Sequence, residues 1–254
     1  MPKVIFSRPD WNDQATKWGT YWTKVLLDKC PFDVIELYKE QAVKAPNEAA
    51  IKANPTAMYY GFGHGNSSVF TGQNATTVID NSNVALWDRA FVHLLSCSVF
   101  AGLGKKFTHG SGYSKTYYFY VMTWPDDVAK MYYDSDHQVM LALWDKKTMA
   151  EAQKQLKDRY DYWFKNGPPY GKDYLIWDRD AHVITGDPNA KPEIEPPPPP
   201  EPKYSCPWSD FKTDDIEALK SHIFNVHCPV CPPPPERPQW CKWFGDLVSC
   251  PLPK

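Results

Sequence analysis

Over roughly the first 190 residues, short apolar runs alternate with stretches whose apolar residues recur at helical spacing. This pattern predicts βαβ units around a largely parallel sheet. Val4-Ile5-Phe6 reads as a first strand and residues 12 to 29 as a helix with Trp18, Tyr21, Trp22, Val25 and Leu26 on one face. Phe32 to Leu37 is a second strand and Glu40 to Ala53 a second helix. Ala57 to Gly63 and Phe91 to Cys97 follow as strands, with Thr116 to Met122 as a fifth of high β propensity. A long helical pattern covers Val139 to Asn166, and Tyr174-Leu175-Ile176-Trp177 closes the set. The expected class is α/β.

Composition divides the chain more sharply than hydropathy does. Of 25 prolines, 17 follow Gly186, among them the unbroken run Pro196 to Pro200. Such a run lacks backbone donors and favours a stiff polyproline spacer. Five of seven cysteines lie beyond it. The expected organisation is a main domain over residues 1–190, a proline-rich linker over 191–203, and a Cys/His/Pro-rich tail over 204–254.

Charge narrows the function classes. Lys and Arg number 28 against 30 Asp and Glu, a net charge of −2, so non-specific nucleic-acid binding has no electrostatic footprint. No run of 18 apolar residues exists, and the amino-terminal segment lacks the apolar core of a signal peptide. A cytoplasmic or otherwise intracellular protein without a membrane span is expected. Eleven Trp and 15 Tyr fit a core rich in ring packing better than an aromatic carbohydrate-binding surface.

Two strand ends carry candidate chemistry, because open parallel sheets bind ligands just beyond the carboxyl ends of their strands. The third strand runs into Gly63-His64-Gly65 and the fourth ends at Ser96-Cys97. A thiol is a strong nucleophile only as thiolate, and an imidazole nearby can take its proton or protonate a leaving amine. The N–H groups of Gly65 and Cys97 are candidate oxyanion donors. Against this stands the plainer reading, Cys97 as a small buried hydrophobe and His64 as a turn residue. His93 lies four residues before Cys97 on the same strand, about 13 Å away, too far to serve as base. His109, in an expected loop, and Asp126 with Asp127, after the fifth strand, are candidates for a substrate pocket. The two acids equally suit the start of the next helix. Cys30, before Pro31, reads as a structural thiol.

An apolar strand ending in His-Gly, then an apolar strand ending in Ser-Cys, resembles the caspase, gingipain, clostripain and separase group of cysteine peptidases (clan CD). The segments are Tyr59-Tyr60-Gly61-Phe62-Gly63-His64-Gly65 and Phe91-Val92-His93-Leu94-Leu95-Ser96-Cys97; His182 to Pro188, with its Gly-Asp-Pro, is similar to the end of a gingipain-like catalytic domain. The 32 residues between His64 and Cys97 are nearer the gingipain or clostripain spacing than the caspase one. The resemblance implies a caspase-like three-layer α/β/α sandwich, Cys97 as nucleophile, His64 as general acid/base, and Gly65 with Cys97 as oxyanion donors.

The tail resembles a C2H2 finger lacking one ligand. Cys206, Ser209 in place of the second cysteine, His222 and His227 keep the spacing, and Tyr204 and Leu219 fall at its core positions. Cys231 could complete a zinc site; a metal-free degenerate finger and disulfides remain open. Asp214, Asp215 and Glu217 disfavour DNA reading, so docking to a protein, or back onto the main domain, is expected.

The leading expectation is therefore a cysteine endopeptidase acting on polypeptides with a proline-tethered tail that positions or inhibits it. The rivals are an inactive scaffold of the same fold and a structural component of a larger assembly.

Overall fold

The computed structural model describes residues 3–117, 126–193, 204–205, 212–213 and 215–222. The chain divides into two units, Met1–Pro196 and Pro197–Lys254.

In the first unit, six strands form one sheet: β1 (Lys3–Arg8), β2 (Asp33–Tyr38), β3 (Met58–Phe62), β7 (Phe91–Leu95), β8 (His109–Tyr113) and β9 (His182–Gly186). Their spatial order is β2-β1-β3-β7-β8-β9, all parallel except the final β8–β9 pair. A second sheet is antiparallel: β4 (Gly65–Asn66), β5 (Val69–Thr71) and β6 (Thr77–Asp80). The helices are α1 (Gln14–Leu27), α2 (Lys44–Ala53), α3 (Asp126–Trp144), α4 (Met149–Asn166) and α5 (Leu175–Ala181).

The sheet separates two cores because successive side chains on a strand face opposite ways. Val4, Phe6, Met58, Tyr60 and Leu95 join residues of α3 and α4 such as Val128, Met140 and Leu156 on one side. Ile5, Tyr59, Val92 and Leu94 join Ile51 of α2, Phe70, Ile79 and Trp87 on the other. The result is a three-layer α/β sandwich, one outer layer built from α2 together with the small sheet. Tyr59, Tyr60, Tyr113, Tyr132, Tyr133, Tyr160 and Trp87 are all fully buried, so much of the aromatic content is core packing.

Several elements differ from the sequence reading. The helical pattern expected over Val139 to Asn166 is two helices. Thr148 caps α4 with a reciprocal bond to Glu151, and Lys146 just before it takes a positive φ of 61°. Leu175 to Trp177 lies in α5, not a strand. Strand β8, His-Gly-Ser-Gly-Tyr, replaces the loop expected around His109. Its two glycines give no β signal, yet a Cβ at Gly112 would sit 2.4 Å from the Phe100 ring, so the ring occupies the space a side chain would need. Of the fifth strand expected over Thr116 to Met122, Thr116 and Tyr117 lie outside any strand and the remainder lies outside the described residues.

A polar network runs through the α3/α4 side of the core. His93 Nε2 lies 2.9 Å from Asp136 Oδ1, and His93 Nδ1 lies 3.0 Å from Ser111 Oγ. Ser111 Oγ lies 2.9 Å from His182 Nε2. Tyr60 and Tyr113 each donate to Asp136, and Tyr113 also contacts the Tyr160 hydroxyl. Ser111, His93 and Asp136 are all 0% exposed, so this Ser-His-Asp chain is structural. Burial works against the Asp136 carboxylate, but His93 and the other donors outweigh it and hold its pKa below the usual range. Burial lowers His137 to about 4 and His182 well below the ordinary imidazole value, so both rings are neutral in the folded chain.

The second unit's described residues comprise an antiparallel pair, β10 (Tyr204–Ser205) with β11 (Lys212–Thr213), followed by α6 (Ile216–His222), in which Leu219 is buried.

The depressed histidines set the direction of acid sensitivity. An unfolded His137 or His182 binds a proton near pH 6.5 that the folded chain refuses, so their stabilisation is complete above that pH and is lost on acidification. Stability is expected to be flat from pH 8 to 7. It then falls towards pH 4 by up to about 1.4 kcal/mol per pH unit for each ring. Chemical denaturation at stepped pH measures this, and His137→Phe should reduce the slope; a flat profile down to pH 4 would contradict the buried neutral rings.

Candidate active site

The chain order reverses between β1 and β3, where β2 lies to one side and β3 to the other. In open parallel sheets such a reversal is where ligands bind, at the carboxyl ends of the two strands; β7 lies on the other side of β3. The β3–β7 register pairs Phe62 with Leu95. His64 and Cys97 each follow two residues later, so they leave neighbouring parallel strands at the same level.

Gly63 and Gly65 fit the tight exit from β3. A Cβ at Gly63 would lie 2.0 Å from the Thr71 carbonyl oxygen, and one at Gly65 would lie 2.6 Å from Ser96 Oγ and 2.7 Å from the Val69 carbonyl oxygen. The glycines therefore let β4 and β5 pack over the strand ends, a stronger requirement than leaving room around the imidazole. Thr71 N–H donates to the His64 carbonyl at 2.8 Å, which makes Gly65–Phe70 the non-hydrogen-bonded kind of pair. The Gly65 N–H thus points away from β5. The Cys97 N–H donates no hydrogen bond among the described residues. Ser98 turns the chain with φ of 55°, an uncommon conformation for serine, and its N–H bonds the Lys115 carbonyl at 2.9 Å.

His64 and Cys97 are held from different sides. The His64 side chain, 46% exposed, lies with Nε2 2.9 Å from Asp13 Oδ2 and its ring edge-on to Trp11. Asp13 caps α1, its Oδ2 also accepting from the Thr16 N–H at 3.0 Å and hydroxyl at 2.7 Å. Burial raises the Asp13 pKa, but the Thr16 and His64 donors outweigh it, so the net shift is downward and the carboxyl is ionised at neutral pH. The half-buried Cys97 thiol donates to the Tyr117 carbonyl at 3.8 Å and accepts from the Tyr117 N–H at 3.4 Å. No hydrogen bond joins it to His64. Burial pushes its pKa up, and the nearby Asp178 carboxylate adds to that against the Tyr117 bond, so the resting sulfur is a protonated thiol.

Among the other expected site residues, His109 lies away from the two strand ends. His109 opens β8 opposite Phe91, stacked on that ring at 4.7 Å, at the far end of the strands from Cys97. Asp126 and Asp127 are the first residues of α3, and the Asp127 carboxylate accepts from the Tyr170 hydroxyl at 3.5 Å. Cys30 donates to the Phe32 carbonyl at 3.8 Å, with its pKa raised by burial. Sequence reading missed Asp13; its capping signal, Asp13 ahead of the α1 pattern, was legible, but its reach to His64, 51 residues later, was not. In the tail, His222 ends α6, while its side chain and Cys206, His227 and Cys231 lie outside the described residues. No group of three potential metal ligands occurs among the described residues, and no helix among them is long and apolar enough to cross a membrane.

The sequence matches no protein-family profile and no curated protein. Among solved structures it is similar to caspase-1 from Spodoptera frugiperda, at 8% identity over 73% of this chain and 85% of that one, with a TM-score of 0.43.

A resting thiol with a raised pKa should alkylate slowly. Iodoacetamide is expected to modify neither Cys97 nor Cys30 rapidly at pH 7, with rates climbing about tenfold per pH unit through pH 9. Mass spectrometry of time points checks this, and fast labelling of Cys97 at pH 6 would mean a preformed thiolate.

Proposed function

We propose that the chain is a cysteine peptidase of the caspase-like kind. The observation carrying this reading is the in-register exit of His64 and Cys97 from the carboxyl ends of neighbouring parallel strands. Beside them, the Gly65 N–H points away from β5, and the Cys97 N–H donates no hydrogen bond among the described residues. The reaction follows from these parts. A peptide carbonyl enters between the two strand ends, and His64 takes the thiol proton. The sulfur attacks the carbonyl carbon, and the oxyanion is held by the Gly65 and Cys97 N–H groups. The C–N bond breaks as His64 returns the proton to the leaving amine, and water attacks the thioester with His64 again as base. Because the resting thiol is protonated and bonded to Tyr117, substrate must bring sulfur and ring together; the chain is a latent enzyme until it is occupied.

Activity against a fluorogenic peptide library is expected to fall at least a hundredfold in Cys97→Ala and in His64→Ala. Full activity in Cys97→Ala would overturn the reading. The inactive-scaffold reading predicts no turnover in either protein.

We propose also that the tail binds zinc. The described hairpin and helix follow the ββα order of a C2H2 finger, with Cys206 directly after β10 and His222 ending α6. Cys206, His222, His227 and Cys231 would hold the ion, which would supply folding energy and no chemistry at the Cys97 site. Metal analysis of the full chain should find about one zinc, and Cys206→Ser with His222→Asn should lose it. A metal-free native chain after purification and zinc titration would exclude the site.

A further inference from the structure

We propose that Asp13 is a positioning residue: its carboxylate fixes His64 as the Nε2–H tautomer and leaves Nδ1 as the nitrogen that exchanges a proton with Cys97 and the leaving amine. This rests on the peptidase reading of Cys97 and His64.

An ionised carboxylate accepts hydrogen bonds and donates none. With Asp13 Oδ2 at 2.9 Å, the proton of that contact belongs to His64 Nε2. A neutral imidazole carries one ring proton, so Nδ1 is left with the lone pair. Asp13 can act in this way because its own position is fixed from three directions. The same oxygen is held by both donors of Thr16 at the start of α1. The segment leading to it is paired with the loop between β5 and β6 through Asp10 N–H to Gln73 Oε1, 2.8 Å, and Gln73 Nε2 to the Asp10 carbonyl, 3.0 Å. It is anchored to the end of β2 by the Tyr38 hydroxyl on Asp10 Oδ2, 2.6 Å. The ring is further confined by the edge of Trp11, with centroids 6.1 Å apart. The loop after β3 and the loop after β1 thus meet at the carboxyl ends of these strands, the first supplying the acid/base and the second its orientation.

The test uses the full chain. Asp13→Ser keeps a good helix cap but is too short to reach His64, whereas Thr16→Val removes a partner of Asp13 and leaves the His64 contact in place. Ring-nitrogen NMR, with His64 assigned through His64→Gln, should find Nε2 protonated at neutral pH in the native chain and in Thr16→Val. A tautomer mixture is expected in Asp13→Ser. That variant should also lose about 10- to 100-fold in kcat, a share of the usual acid–base contribution, with KM within about twofold. Asp13→Asn, which keeps both cap and reach without the charge, should lower kcat too. A protonated Nδ1 in the native chain, or an unchanged ring signal in Asp13→Ser while Cys97→Ala is inactive, would overturn the Asp13 assignment alone. A changed tautomer in Asp13→Ser with Cys97→Ala fully active would overturn the catalytic role together with the peptidase reading.

Discussion

The register between β3 and β7 is the constraint on which the site depends. Pairing Phe62 with Leu95 places two loop starts at one height on adjacent parallel strands. A slip of one residue would turn every side chain of β7 to the opposite face. Phe91 and Leu95 would leave the α3/α4 core, and Val92 and Leu94 would leave the other. Because parallel strands are covered on both sides, neither face tolerates that exchange, and the two burial patterns lock the level at which Cys97 emerges.

The same alternation drives a polar residue into the interior. His93 lies between Phe91 and Leu95 on the face towards α3, so its ring is buried and has to find partners. Asp136 and Ser111 provide them, and Tyr60, Tyr113 and His182 complete the set. Leaving any member unpaired would cost more than its bond contributes, so the network ties β3, β7, β8, β9, α3 and α4 into one arrangement. It also separates two histidine chemistries in one fold: His93 is committed to structure, whereas His64 stands at the rim with Asp13 behind it.

Much of the sheet was legible because β1, β3 and β7 are buried on both faces and carry short, mostly apolar runs: Val4 to Phe6, Met58 to Phe62, and Phe91 to Leu95 around His93. Strand β8 was not, since its glycines exist to admit the Phe100 ring, a contact made by a residue outside the strand. The break between α3 and α4 depends on a left-handed Lys146 and on the Thr148 capping box, a local signal masked by continuous helical periodicity on both sides. Leu175 to Trp177 carries β-prone side chains, but its helix buries Leu175 and leads directly into β9, while the Trp177 indole N–H bonds the Thr116 carbonyl.

Sequence alone determined that the main part of the chain is α/β, that proline and cysteine are concentrated after Gly186, and that His64 and Cys97 each follow an apolar strand. Those properties are written in local pattern and composition. Tertiary structure alone decided which strands are neighbours, that the carboxylate behind His64 comes from the cap of α1, and that the Cys97 thiol rests protonated against Tyr117. Each of these depends on groups far apart in the chain, and on burial and charge that exist only once the layers have closed.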